Sequence, residues 1–247
     1  MKNKFLPIFL IILFNFNFDI FSQEQNQSSN LENSSNTISS TENSSNEKKS
    51  KFNIDPFVIV GNHLFLNTYA SQETLLSPIK FFIGGGAIFD FNSKLKISFQ
   101  PNISIWNMYY AFDGKKAYAT EIENRTATTL CLLFDFPVGI KFTKEKHSFT
   151  PGIGLGILAR ISFLSNGVNK NDSGATGSAE NDLKEIQKWN FSNSRFLYPE
   201  LFFAWDYQVS KNFSTGVVSK VFIPIASFIE NSNFNETIFS VAARFAF

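Results

Sequence analysis

The chain has 247 residues, which is enough for one large β domain or two small ones. Its formal net charge is +1 and it has no basic run with interleaved aromatic residues, so nothing points to a nucleic-acid partner. Cys131 is the one cysteine, which excludes an intrachain disulfide and a cysteine-based metal site. Phenylalanine occurs 31 times against 2 methionines, and this bias favours strands over helices.

The first 22 residues have the three parts of a secretory signal peptide. Lys2 and Lys4 give a positive start, FLPIFLIILFNFNF (5–18) forms a short apolar core, and Ser22 precedes a plausible cleavage point. The alternative is an uncleaved membrane anchor, but the apolar core is shorter than the roughly 20 residues that a spanning helix needs. We therefore predict a cleaved signal peptide over residues 1–22.

Residues 23–51 form a polar tract in which the pentamer ENSSN occurs twice, at 32–36 and 42–46. The tract has no aromatic side chain before residue 52 and two isolated aliphatic ones. Such a composition cannot bury enough apolar surface to offset the entropy of ordering the chain. We predict a disordered tract, and our hypothesis is that it is a periplasmic spacer.

From residue 52 onward the pattern changes to alternation of apolar and polar or small residues, which is typical of strands. A helical period is weakly visible only around residues 182–189. The alternation defines eight strand-like segments, which are 56–68, 80–91, 94–110, 129–142, 151–163, 199–209, 213–225 and 239–247.

The connections between these segments are long and short in turn. Short ones fall near 92–93, 143–146 and 210–212, and long ones fall near 70–77, 111–125, 164–194 and 226–236. That rhythm is typical of an up-and-down barrel with its short turns at one end. Segments of about 10 to 14 residues are long enough to cross a bilayer at about 45°. The sequence predicts an all-β fold, an eight-stranded antiparallel transmembrane β-barrel over residues 52–247.

The two faces of these segments differ in side-chain type. One face is almost entirely aliphatic and aromatic, while the other carries glycines, serines and nine charges. Eight strands enclose only enough room for a filling of side chains, so the small and charged face fits inside and the bulky apolar face meets lipid. The charges predicted to lie in the lumen are Lys80, Lys96, Asp135, Lys141, Arg160, Glu200, Asp206, Lys220 and Arg244.

Buried charges of opposite sign must pair, because a charge left unpaired inside a barrel is very costly. Arg160 and Glu200 lie on adjacent predicted strands, and so do Asp206 and Lys220. We expect these two pairs to form across the lumen.

The last residues, SVAARFAF, alternate in the same way, with Val241, Ala243, Phe245 and Phe247 on the apolar face. This ending resembles the C-terminal signal of bacterial outer-membrane proteins, and the whole plan resembles the OmpX and OmpA-transmembrane-domain class. The resemblance implies a location in the bacterial outer membrane, contact with its lipid, and insertion by the barrel-assembly machinery through those four residues. It also implies that both ends of the barrel chain are periplasmic and the long loops extracellular.

An envelope hydrolase would need a histidine with a serine or carboxylates at the outer rim. His147 falls in a predicted short turn, and His63 lies in the first segment with no clear phase. We therefore expect no enzyme activity, no catalytic residue, no cofactor and no metal site.

Four functions are compatible with this pattern. The favoured one is a closed, charge-plugged barrel that displays four surface loops in a structural or surface-contact role. A protein partner would bind through loops 111–125 and 164–194, the second of which we expect to be flexible. The alternatives are a narrow porin or small-solute channel, an envelope enzyme, and a soluble lipocalin-like carrier with an apolar interior.

Overall fold

The computed structural model describes residues 52–67, 78–91, 95–120, 127–230 and 234–247. The predicted signal peptide and polar tract lie outside the described residues, and so does the 121–125 part of the proposed binding loop. Twelve strands are formed within them: β1 (Phe52–Phe65), β2 (Ile79–Phe91), β3 (Ile97–Phe99), β4 (Asn102–Phe112), β5 (Ala117–Thr120), β6 (Ala127–Asp135), β7 (Val138–Ile140), β8 (Phe142–Lys144), β9 (His147–Leu164), β10 (Leu197–Ser210), β11 (Phe213–Phe222) and β12 (Ile238–Ala246).

The strands form one closed antiparallel ring of eight barrel strands. β3 and β4 together make the third barrel strand, and β6, β7 and β8 make the fourth. Each barrel strand pairs with the next along the chain, and β12 pairs with β1 to close the ring, with Phe57 opposite Ala246. The predicted fold class is confirmed.

Two prolines explain why the third and fourth barrel strands are interrupted. Pro101 separates β3 from β4, and Pro137 separates β6 from β7. Proline has no N–H to donate to a ladder, so regular pairing breaks there. The two breaks face each other, since the N–H of Gln100 donates to the carbonyl of Pro137 at 3.0 Å.

The two ends of the barrel differ. Short turns join β8 to β9 and β10 to β11 at what we call the turn end, and the long connection from β9 to β10 lies at the opposite loop end. The loop end carries two helices, α1 (Ala179–Phe191), which runs into a short 3₁₀ turn, and α2 (Ile225–Ile229). None of the helices in the described residues is long and apolar enough to span a membrane.

The expectation that segment 164–194 is flexible was wrong for its helical part. Ser178 caps α1 by accepting a hydrogen bond from the N–H of Asn181, as Ser does at helix starts. The buried carboxylate of Asp182 accepts from the N–H groups of Ala175 and Thr176 at 2.8 Å each, which fixes the loop before the helix. Ile186 is fully buried in the same cluster as Met108 of β4, so α1 packs over the loop end of the barrel.

The outer and inner faces of the strands match the predicted alternation. Along β4, Ile103 and Ile105 are exposed, while Ser104, Trp106 and Met108 are buried. Most exposed positions on the other strands are also aliphatic or aromatic, and they include Phe81, Ile153, Leu201 and Val241, which are 54% to 66% exposed. Polar exceptions such as Asn62 and Ser219 also lie on the outer face. The molecule therefore has an apolar outside and a mixed polar and apolar inside.

Candidate functional site

The interior charges are arranged in layers, and the first lies near the turn end. Arg244 of β12 makes two hydrogen bonds to the carboxylate of Asp206 on β10, one of them from Nε at 2.9 Å. Its Nη1 donates to Oε1 of Gln100 at 2.6 Å, and Nε2 of Gln100 donates to Oγ of Ser98 at 3.0 Å. Arg244, Asp206, Gln100 and Ser98 are all buried, and we call them the turn-end layer.

A glycine makes the bidentate pair of the turn-end layer possible. Arg244 and Asp206 are not on adjacent strands, because β11 lies between them. Gly216 of β11 stands directly opposite both residues in the ladder. A Cβ atom at Gly216 would lie 2.5 Å from Oδ1 of Asp206 and 2.1 Å from the carbonyl oxygen of Trp205. The missing side chain leaves the space across which the arginine reaches the aspartate.

The second layer lies between the two ends and has one cation for two carboxylates. Nζ of Lys220 forms an ion pair with Oδ2 of Asp135, and Nδ2 of Asn102 donates to the same oxygen at 3.0 Å. Oε1 of Glu200 lies 3.8 Å from the same Nζ. We call Lys220, Asp135, Glu200 and Asn102 the central layer.

The central layer leaves several buried polar atoms without hydrogen-bond partners among the described residues. These are Oδ1 of Asp135, both carboxylate oxygens of Glu200, and both ring nitrogens of the neighbouring His63. A cavity of about 10 Å³ is lined by His63, Asp135, Lys220 and Ser240, which is room for about one water molecule. The layer is thus charged and incompletely satisfied by protein groups alone.

The third layer lies at the loop end around Arg160 of β9, which is 2% exposed. Its Nη2 donates to the hydroxyl of Tyr198 at 2.6 Å and to Oε2 of Glu236 at 3.2 Å. The guanidinium also lies 5.8 Å from the ring centre of Tyr110, within the range of cation–π attraction. Arg160, Tyr198, Glu236 and Tyr110 form the loop-end layer.

Two partly buried ion pairs lie outside the three layers, apart from the exposed pairs along α1. At the turn end Nζ of Lys141 pairs with Asp90, and both side chains are half-buried. Among the loops Arg195 makes two hydrogen bonds to Glu230, which ends α2, and its guanidinium stacks 3.5 Å from the ring centre of Trp189. The second pair ties α1 to α2.

Most of the predicted lumen charges point inward in the structure. Asp135, Arg160, Glu200, Asp206, Lys220 and Arg244 are buried, and Lys80 and Lys141 are half-buried at the rims. Lys96 is exposed in the turn before β3, where its φ of 45° takes the chain out of strand geometry, so it lies outside the interior.

The two pairs expected from adjacent strands were wrong. Glu200 stands opposite Gly154, and Arg160 lies six residues further along β9, which at about 3.3 Å per residue is about 20 Å away. Asp206 stands opposite Gly216, four residues from Lys220. The true partners of Arg160 and Arg244 are Glu236, from a loop, and Asp206, from two strands away. The alternating pattern could not identify Glu236 as an interior residue, because Glu236 lies outside every alternating segment.

The two histidines lie at different heights of the barrel and pack on aromatic side chains. The ring of His63 stacks on Phe82 at 3.9 Å between centroids inside the barrel. Nδ1 of His147, at the turn end, accepts a hydrogen bond from Nε1 of Trp205 at 3.3 Å. The parts of the chain that the structure describes bring together no group of three or more His, Cys, Asp or Glu side chains that could hold a metal ion.

The outward surface has aromatic side chains at its turn end. Trp205 and Tyr207 lie beside His147, and Phe213 packs on Phe247 at 5.6 Å. Aromatic side chains mark the membrane boundary of barrels. Val241, Ala243, Phe245 and Phe247 also face outward.

A closed ring of eight strands, apolar outside and charged inside, defines an integral β-barrel of the outer-membrane type. Lipid requires every backbone polar group to be paired within the protein, and ring closure meets that demand. The protein is therefore an outer-membrane barrel in contact with lipid over its apolar surface.

No protein-family model matches the chain, and no curated protein sequence matches it. Among solved structures it is similar to Neisserial surface protein A, with 9% identity, a TM-score of 0.44, and coverage of 80% of this chain and 96% of that one. It is also similar to the Yersinia pestis outer-membrane protein Ail in a phospholipid nanodisc, with 12% identity, a TM-score of 0.37, and coverage of 78% and 99%. A crystal structure of Ail with the heparin analogue sucrose octasulfate gives 9% identity, a TM-score of 0.37, and coverage of 78% and 97%.

Proposed function

We propose that the protein is a closed barrel whose interior charges plug the lumen and whose loops serve a structural or surface-contact role. The observation that carries this proposal is the stack of three buried ion-pair layers between the turn end and the loop end. Each layer reaches into the lumen, because it joins strands or loops that are not neighbours in the ring.

A conducting pathway would have to pass all three layers. The Arg244 and Arg160 side chains are essentially inaccessible to solvent, and each is held by two or more hydrogen bonds. Separating such a pair without replacing its partners leaves uncompensated buried charge, which costs several kcal/mol. Side chains that also fill the space between the layers, such as Leu133 and Leu158, are buried as well.

Recording from planar bilayers tests the plug directly. Purified wild-type protein should show no steady conductance. The double variant Asp206→Ser with Arg244→Ser removes one layer without changing net charge, and its matched control is Glu180→Ser with Lys184→Ser on the exposed face of α1. Leakage in the interior variant but not in the control would show that the turn-end layer limits the pathway, whereas no leakage in either would mean that the two remaining layers still block it. Steady conductance of the wild-type protein favours the alternative, a narrow porin or small-solute channel, and overturns the proposal.

The surface-contact role rests on the size and order of the loop-end structure. The exposed face of α1 carries Glu180, Lys184, Glu185 and Lys188, and the 111–125 loop adds further charges of both signs. An extracellular protein would meet these charges first. Removing the whole of α1 would expose the site of Ile186, so the test keeps the helix and replaces Lys184 and Lys188 by Glu. Binding is measured between expressing cells and a panel of matrix proteins. If the Lys184 and Lys188 variant binds as wild type does, and truncation of 113–116 abolishes binding, the contact lies at that turn instead.

The orientation and the assembly route belong to the same proposal. Both ends of the barrel chain lie at the turn end, and we assign that end to the periplasm. Lys184→Cys should react with a membrane-impermeant maleimide on intact cells, while Lys211→Cys in the turn between β10 and β11 should not. Reaction at Lys211 alone would reverse the orientation.

The assembly route is tested separately. Insertion by the barrel-assembly machinery through Val241, Ala243, Phe245 and Phe247 predicts that Phe247→Ser slows insertion in cells. Phe213→Ser, which changes the ring partner of Phe247, should slow insertion less.

A further inference from the structure

Four apolar side chains at the loop end are exposed without belonging to the barrel wall. Phe228 and Ile229 of α2 are 62% and 61% exposed, Phe191 at the end of α1 is 54% exposed, and Phe234 is 42% exposed. The ring of Phe228 meets that of Phe234 edge to face at 5.9 Å. We call these four residues the loop-end apolar cluster. Large exposed apolar side chains grouped in this way mark a contact surface.

The height of this cluster follows from the strands that lead to it. Strands tilted by about 40° climb about 2.5 Å per residue along the barrel axis, and the apolar band of such barrels is about 25 Å tall. Ile223, just before α2, lies ten residues from Phe213 at the turn end of β11. Leu197, which follows the segment containing Phe191, lies ten residues from Tyr207 on β10. On both strands, ten residues at about 2.5 Å each span about 25 Å, the height of the apolar band. The cluster therefore begins at the loop-end edge of that band.

Charge is distributed around the cluster in a way that fits a lipid surface. α2 contains no charged side chain, and Glu230, which ends it, is taken up by Arg195. The exposed charges of α1, Lys184 and Lys188 with their acidic partners, lie on the helix face that is open to solvent. The protein thus has a neutral apolar rim beside β10 and β11 and a charged top on the helix.

We propose that the loop-end apolar cluster inserts into the headgroup region of the membrane on the loop side, and that lipid rather than a protein covers it. The cluster continues the lipid-facing surface of β10 and β11, where Leu201 and Val217 are exposed below it. Exposed Phe and aliphatic side chains next to a bilayer favour this position, since they bury shallowly at the boundary between the headgroups and the acyl chains. The Arg195–Glu230 pair holds the ends of α1 and α2 together at this height.

Depth measurement with a site-specific fluorophore tests the proposal. Phe228→Cys, Val217→Cys and Lys184→Cys are made in a Cys131→Ala background, labelled, and placed in phosphatidylcholine vesicles. The vesicles carry a nitroxide either at the headgroup or at the end of the acyl chain. The label at 228 should be quenched most by the headgroup nitroxide, the label at 217 by the chain nitroxide, and the label at 184 by neither.

The proposal is overturned if the labels at 228 and 184 are quenched equally weakly while the label at 217 is quenched normally. A protein partner would then be the occupant of the cluster. A second measurement uses unlabelled protein, so that the result does not depend on the dye. Hydrogen exchange of the 225–230 amides should slow by several-fold on transfer from a short-chain detergent to vesicles, while exchange at 184–188 should stay the same. No slowing at 225–230 would also contradict insertion.

Discussion

The turn-end layer and the central layer hold buried charge in different ways. In the turn-end layer one arginine meets one aspartate bidentately, and Gln100 takes its remaining donor group. In the central layer one lysine serves two carboxylates, and three carboxylate oxygens find no hydrogen-bond partner among the described residues. The comparison teaches that the turn-end layer compensates each buried charge, whereas the central layer carries a surplus carboxylate. Substitutions at matched positions can separate these two roles.

Removing the arginine of the turn-end layer should have the largest effect. Arg244→Leu leaves Asp206 buried beside Gly216 without its cation, and a broken buried pair costs about 3–5 kcal/mol. Urea unfolding from phospholipid vesicles should show this loss of stability. The double variant Arg244→Leu with Asp206→Leu removes both charges and should recover most of it. A single variant as stable as wild type would show that the pair contributes nothing.

Filling the gap beneath the turn-end pair should have the next largest effect. Gly216→Ala places a methyl group 2.1 Å from the carbonyl oxygen of Trp205, and overpacking of this kind costs about 1–3 kcal/mol. Gly85→Ala on β2 is the matched control, because its Cβ meets one atom, at 3.1 Å. Equal free energies of unfolding for the two variants would contradict the role given to Gly216.

The two carboxylates of the central layer should respond unequally. Asp135→Asn weakens the ion pair with Lys220 and should cost about 1.5–3 kcal/mol, the range for hydrogen bonds to charged groups. Glu200→Gln keeps the side-chain shape and removes the surplus carboxylate, so we expect a change below about 1 kcal/mol or a gain in stability. Unfolding in urea at one fixed pH measures both. A larger loss for Glu200→Gln than for Asp135→Asn would reverse the assignment of the surplus group.

Lys96→Gln should have the smallest effect of the series. The side chain is exposed in the turn before β3, and substitutions at such places stay within about 0.5 kcal/mol. The same urea titration serves as the measurement. A loss comparable to that of Asp135→Asn would place Lys96 in the interior network after all.

Much of this architecture could be predicted from local alternation. The eight segments, their inward and outward faces and the rhythm of long and short connections all depend on side chains two residues apart, which a sequence displays directly. The loop end was harder to predict, because the helix in 179–191 shows a period only over part of its length. Its order comes from Asp182 and Ile186, whose contacts are with a preceding loop and with the barrel.

The charge pairs could not be predicted because they depend on how far each strand slides past its neighbour. Parity says that Arg160 points inward, but only the register says that it lies about 20 Å from Glu200. Gly216 is a further example, since its function depends on two side chains that flank it from β10 and β12 and not on its own segment. The pairing of charges inside a barrel thus depends on the register between strands. Short-range sequence patterns do not reveal that register.

The pairing of β12 with β1 has a consequence for how the barrel folds. Phe57 lies opposite Ala246, and the N–H of Phe247 donates to the carbonyl of Pro56 at 2.9 Å, so the seam joins residues nearly a whole domain apart in the chain. Contacts of such long sequence separation form late, because the entropy of closing the loop must be met first. Until that seam closes, β1 exposes an unpaired edge that hydrocarbon does not tolerate. The nascent barrel must therefore be kept out of lipid, or be held open by a helper that pairs with the edge, until its final strand arrives.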